Sequence, residues 1–169
     1  MRSASSGRYM TTSRWWAGLK RWTLLILCLP VNLSGLLVVG LLLLFRAAQR
    51  EPVVGAENVL VVRGRGRFVG WWGYSTTFGS HVIYMHPEAG PHSLLHELKH
   101  TSQAEGVSCA WALATLGSWS WRMLVLWPAA WFVVYIGASI SSWLKGRDWY
   151  YGNEYEQQAY RVEEEPWNS

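Results

Sequence analysis

The chain has 169 residues, half of them hydrophobic, with 13 tryptophans and a net charge of +4. That length leaves room for one compact domain plus membrane segments, and the tryptophan content exceeds what a water-soluble core of this size needs. No phosphate-binding glycine loop and no basic groove interleaved with aromatics is present, so nucleic acid is not an expected partner.

Arg2, Arg8, Arg14, Lys20 and Arg21 crowd the N-terminus, while Glu163, Glu164 and Glu165 close the chain. A basic tail beside a hydrophobic segment reads as membrane-flanking charge. Residues 1–21 are therefore expected to be a mobile cytoplasmic tail. From Trp22 to Phe45 run 24 uncharged residues, enough to cross a bilayer core, which needs about 20. The stretch is too long for the apolar part of a cleavable signal peptide, so residues 22–45 read as a retained transmembrane anchor. Pro30 and Asn32 are expected to kink it. The arginines that follow (Arg46, Arg50, Arg63, Arg65 and Arg67) weaken the charge asymmetry. The expectation is an integral protein of the inner or plasma membrane, with the side of its site left open.

Asn58–Val62 and Arg67–Trp72 are β-branched and aromatic runs joined by Arg-Gly-Arg-Gly, the pattern of a hairpin. His81–Met85 reads as a third strand. It leads through the turn-like Pro87–Gly90 to Pro91, a residue suited to the first turn of a helix. An edge strand here offers an extended peptide a place to pair.

The helix that starts at Pro91 carries His96-Glu97-Leu98-Lys99-His100. Residues four apart lie on one helical face, so His96 and His100 can offer two imidazoles to one metal ion. Glu97, one step round, is placed to hold and deprotonate a water. Zn²⁺ suits neutral imidazole and carboxylate ligands in a tetrahedral site with one position open. Two histidines leave the site incomplete, so a third ligand is required. His86 and His92 read as loop or cap residues.

Val107–Trp121 gives 15 uncharged residues and Met123–Trp143 gives 21, with Arg122 between them. Trp111, Trp119, Trp121, Trp127, Trp131 and Trp143 suit the headgroup level of a bilayer. Cys28 and Cys109 lie in apolar stretches and read as buried thiols, not a disulfide. The last stretch, Trp149–Glu163, fits a final helix. It supplies Glu156 within Asn153-x-x-Glu156-x-x-Ala159, where a small residue one turn after the carboxylate lets two helices approach closely. Glu154 competes with Glu156 as the third ligand.

Together, His96, Glu97, His100 and Glu156 resemble the gluzincin class of zinc metallopeptidases. The run Leu94–Gln103 looks especially like the minimal gluzincins, with a Leu-rich lead-in and a Gln three residues after the motif. The order of parts is also similar to the membrane-embedded zinc proteases of the heat-shock and CAAX-processing type, although those have more spans and an Asp where Tyr160 stands here. The resemblance implies His96, His100 and Glu156 as zinc ligands, Glu97 as general base, and a peptide or protein substrate. It also implies that residues 107–144 return the chain to the side it left, as a hydrophobic hairpin, a re-entrant pair or an interfacial helix pair. The oxyanion donor stays open among Tyr150, Tyr151, Tyr155, Tyr160 and His81. A catalytically inactive gluzincin-like membrane scaffold and an accidental motif remain the alternatives.

The expected fold is thus α+β. A small three-stranded sheet packs on the motif helix and a Glu-bearing C-terminal helix, beside an N-terminal transmembrane helix and the hairpin. The metallopeptidase-like domain covers residues 46–169.

Overall fold

The computed structural model describes residues 11–54, 56, 58–65, 74–118 and 120–164, and side chains from residue 22 to residue 162 among these. In chain order the elements are α1 (Thr11–Leu44), β1 (Ala48–Arg50), β2 (Leu60–Gly64), β3 (Thr76–Thr77) and β4 (Val82–Met85). Then come α2 (Pro91–Ser118), α3 (Trp121–Leu126), a 3₁₀ turn (Trp127–Ala129), α4 (Ala130–Leu144) and α5 (Glu154–Glu164). The fold is α+β, with a small mixed sheet.

Among the described residues the sheet has four strands, not three, in the order β1-β2-β4-β3. β1 runs antiparallel to β2, β2 parallel to β4, and β3 antiparallel to β4. Both edges of β2 are thereby occupied, so the expected hairpin is not its pairing. Its predicted second strand, Arg67–Trp72, lies outside the described residues. The two strands absent from the sequence reading are three and two residues long, too short for an alternating pattern to register.

Of the basic segment expected as a tail, Thr11–Arg21 continues α1, and residues 1–10 lie outside the described residues. Adding a residue to an existing helix is far easier than starting one, so the apolar helix extends outward. α1 also runs through Pro30. Its outer side carries exposed Ile26, Leu29, Leu33, Leu37, Leu41 and Leu44, an apolar stripe at three- and four-residue steps. Its inner side carries Cys28, Val31, Asn32 and Val39, all buried. Two segments, Trp22–Leu44 and Trp121–Leu144, are long and apolar enough to cross a bilayer. Trp22, Trp121 and Trp143 are exposed near their ends. Trp131 and Trp127 depart from the expected headgroup position: both pack inward with Val31, Ala104 and Ala130.

The sheet docks beside α1. Val39 packs with Ala48, Val62, Phe78, Val82 and Tyr84, and a Cβ at Gly35 would collide with Phe78. The absence of a side chain at Gly35 is what allows this approach. Asn32 ties the same region: its Oδ1 accepts from the backbone N–H of Ser80 at 2.9 Å and of His81 at 3.0 Å.

A different device aims α2. Arg63 on β2 donates two bonds to the Glu51 carboxylate, Nε to Oε2 at 2.7 Å and Nη2 to Oε1 at 2.9 Å. Its Nη1 donates to the carbonyls of His86 at 3.0 Å and Ala89 at 2.8 Å. The fork geometry of the guanidinium lets one side chain fix both a strand and the turn that launches the helix. Leu94 and Leu98 then pack on Val61, Ile83 and Met85 of the sheet.

Candidate metal centre

Buried positions on α2 recur at His96, His100, Ala104, Ser108 and Ala112, one helical turn apart, flanked by Glu97 and Thr101. The face of the motif that carries His96 and His100 is therefore the face turned into the molecule. α5 crosses this face. Ala159 is fully buried, and its small side chain permits the contact that brings Glu156 to the two histidines. Glu154, the competing carboxylate, is exposed and lies outside the cluster.

His96, His100 and Glu156 converge. The Nε2 atoms of the two histidines are 3.1 Å apart. Glu156 Oε2 lies 3.2 Å from His96 Nε2, and Oε1 lies 3.1 Å from His100 Nε2. Ligands held about 2.0–2.1 Å from a tetrahedral ion sit about 3.3 Å from one another, so the spacing fits a shared cation. Glu156 is almost fully buried, and its Oε2 accepts no hydrogen bond. A buried carboxylate oxygen in that condition is ordinarily disfavoured, and a cation would satisfy it.

The protonation of His100 follows from a neighbour. The Gln103 side-chain N–H groups donate to the Tyr155 carbonyl at 3.1 Å and to Gln158 Oε1 at 3.2 Å. A carbonyl only accepts, so the amide orientation is settled and Gln103 Oε1 faces His100 Nδ1 at 2.7 Å. In the neutral imidazole Nδ1 then carries the proton and Nε2 turns its lone pair toward the cluster, the tautomer a metal needs.

Burial alone would raise the Glu156 pKa, but its polar neighbours, the two imidazoles and the Tyr135 hydroxyl, outweigh it and hold the carboxyl well below its ordinary range. Glu97 moves the other way: burial raises its pKa despite the Thr77 hydroxyl, which donates to Oε2 at 2.7 Å. Thr77 also donates to the Glu97 carbonyl at 3.0 Å, so edge strand β3 is fastened directly to the motif.

A cleft of about 480 Å³ opens over the cluster, with Thr76 and Thr77 of β3 on one wall and Trp131, Tyr135, Tyr150 and Tyr160 among its aromatic lining. Of the tyrosines singled out in the sequence, Tyr150, Tyr151 and Tyr160 line the cleft. Burial and the nearby Glu156 raise the Tyr150 pKa, so its hydroxyl remains a donor at neutral pH. Tyr155 instead packs against Trp131. His81 lies away from the cleft lining, its Nδ1 3.1 Å from Asn32 Nδ2 and 2.7 Å from Ser80 Oγ. Near the strand end, His86 Nδ1 accepts from the Glu88 N–H at 3.3 Å, and His92 sits exposed in the first turn of α2. Both cysteines are free thiols.

Three residues around the cluster were not singled out for these roles in the sequence: Thr77, Gln103 and Tyr135. Gln103 alone had a local signal, standing one turn after His100. Thr77 and Tyr135 reach the site from distant elements. The chain matches no family model, no curated protein and no solved structure.

Proposed function

We propose that this chain is a membrane-anchored zinc metallopeptidase of gluzincin type, with His96, His100 and Glu156 as ligands and Glu97 as general base. The observation that carries the reading is the convergence of three buried ligand atoms beside Glu97 on the wall of an open cleft. Bound zinc supplies a Lewis acid and lowers the pKa of water toward neutrality.

The residues of the chain do the rest. A substrate strand pairs with the free edge of β3, which bonds only to β4 among the described strands and brings the peptide past the cluster. Thr77 engages Glu97 Oε2, so Oε1 takes the proton of the attacking water and returns it to the leaving amine. Tyr150 keeps its proton and donates to the oxygen on which negative charge develops. The exposed apolar faces of Trp22–Leu44 and Trp121–Leu144 support placement in a bilayer.

The test is elemental analysis of detergent-purified protein, wild type beside Glu156→Ala, Glu154→Ala and Glu97→Gln, followed by peptide hydrolysis. The expected result is about one zinc per chain, lost in Glu156→Ala and kept in the other two. Glu97→Gln is expected to lower hydrolysis about 10²–10⁴-fold with zinc retained. No zinc in the wild type after reconstitution refutes the reading; full activity in Glu97→Gln refutes the assigned base.

A further inference from the structure

Helix α4 has no charged residue, and its polar side chains are Tyr135, Ser139, Ser141 and Ser142. Three of these four stand at i, i+4 and i+7, a single face, and all three are bonded to the segment 148–156. The Tyr135 hydroxyl donates to Glu156 Oε1 at 2.5 Å. Ser139 Oγ accepts from Asn153 Nδ2 at 2.8 Å, and Ser142 Oγ donates to the Asp148 carbonyl at 2.8 Å. Ser139 and Asn153 are fully buried. Polar groups on a helix otherwise fit for an apolar medium are disfavoured unless partnered, and here every partner lies on the approach to the third ligand.

Asn153 uses both ends of its amide. Its Oδ1 caps α5 by accepting from the Tyr155 N–H at 3.0 Å, while its Nδ2 also reaches the Tyr135 carbonyl at 3.3 Å. Glu156 follows three residues later, in the first turn of the helix so capped. Tyr135 thus touches the third ligand directly through its hydroxyl and holds the cap of the ligand's helix through its carbonyl.

We infer that Tyr135 and Asn153 are positioning residues of the metal centre, and that the apolar helix α4 sets the orientation of Glu156 through this polar seam. The inference rests on the metal-site reading above. The phenol engages Oε1 and leaves Oε2 as the oxygen without a hydrogen bond. A ligand carboxylate fixed in this way has its orientation settled before the ion arrives, and removal of such a partner typically weakens metal affinity about 10–100-fold.

The experiment measures Zn²⁺ affinity of the full chain in detergent by competition with a chromophoric chelator, together with the visible absorption of the Co²⁺-loaded protein. Tyr135→Phe keeps the ring beside His100 and Trp131 and removes only the hydroxyl. It is expected to bind Zn²⁺ about 10–100-fold more weakly and to shift the Co²⁺ bands, which report ligand geometry. Asn153→Asp keeps the cap acceptor and loses the donors to α4; several-fold weaker binding is expected, and this variant decides the matter if Tyr135→Phe does not fold. Ile140→Val, on the exposed side of α4, is the control and should bind as the wild type does. A seam that only stabilises the fold would lower the melting temperature while leaving affinity and Co²⁺ spectrum alone. Affinities within twofold of wild type and unshifted bands overturn the inference while the metal site stands. A wild type that binds neither ion overturns both.

Discussion

Replacing Gln103 with leucine removes the one acceptor that holds the His100 proton on Nδ1 while keeping side-chain bulk. The imidazole is buried, so the loss leaves a donor unpaired and frees the proton to move to Nε2, the atom needed for the metal. The expected weakening of zinc binding is about 10–100-fold, or about 1.4–2.7 kcal/mol. The effect is readable as thermal protection. At a zinc concentration of about 100 times the wild-type dissociation constant, the metal stabilises the wild type by about 2.7 kcal/mol. A variant bound 10–100-fold more weakly gains only about 0.4–1.4 kcal/mol at that concentration. For a chain of 169 residues, a melting temperature moves about 2–4 °C per kcal/mol. The zinc-induced shift should therefore fall from about 5–11 °C to at most about half of that. Scanning calorimetry in detergent, with and without zinc, makes the comparison within each variant and so removes any difference in the metal-free fold. A Gln103→Leu protein showing the full wild-type shift would refute the tautomer argument.

Three other expectations concern the scaffold. Asn32→Leu strips the acceptor from the Ser80 and His81 N–H groups, and each buried orphan costs about 1–3 kcal/mol; a denaturant midpoint unchanged from wild type would show that the tie is dispensable. Gly35→Val drives side-chain atoms into Phe78 and Val82, with an expected destabilisation of about 1–3 kcal/mol and faster hydrogen exchange in β4. Burial lowers the His81 pKa, so its contribution to stability is complete above its unfolded value of about 6.5 and is lost as pH falls through the lower folded value. His81→Asn should flatten the fall in stability below pH of about 6.5 relative to wild type, and identical acid profiles would exclude this role.

The parts of the site that were readable beforehand are those written in local spacing. His96, Glu97 and His100 sit within five consecutive residues of one helix, the Pro91 start signal stands where α2 begins, and Ala159 marks where α5 can approach. The β-branched runs at Val61–Val62 and Val82–Ile83 fall in strands. What escaped has no period to detect. Thr76–Thr77 is a strand only because β4 supplies its hydrogen bonds, and Tyr135 reads as one more aromatic in an apolar run until α5 is folded beside it. The final helix starts later than the composition of Trp149–Glu163 suggests, for a related reason. Asp148 accepts from the N–H groups of Tyr150 and Tyr151 at 2.8 and 2.7 Å, which turns the chain there, and Asn153 sets the true start of α5.

α2 runs unbroken from Pro91 to Ser118, so the histidines and the apolar arm bearing exposed Leu113 and Leu116 belong to one rod about 42 Å long. Such a rod is a lever. Pivoted at Ala104, where it is packed against Val31 and Trp131, a tilt of about 5° moves His96 by about 1 Å across the eight residues between them. Displacements of that size change rates about a hundredfold in well-aligned sites. If this arm enters the bilayer beside Trp121–Leu144, lipid thickness that is accommodated by tilt acts on the distance between His96 and Glu156.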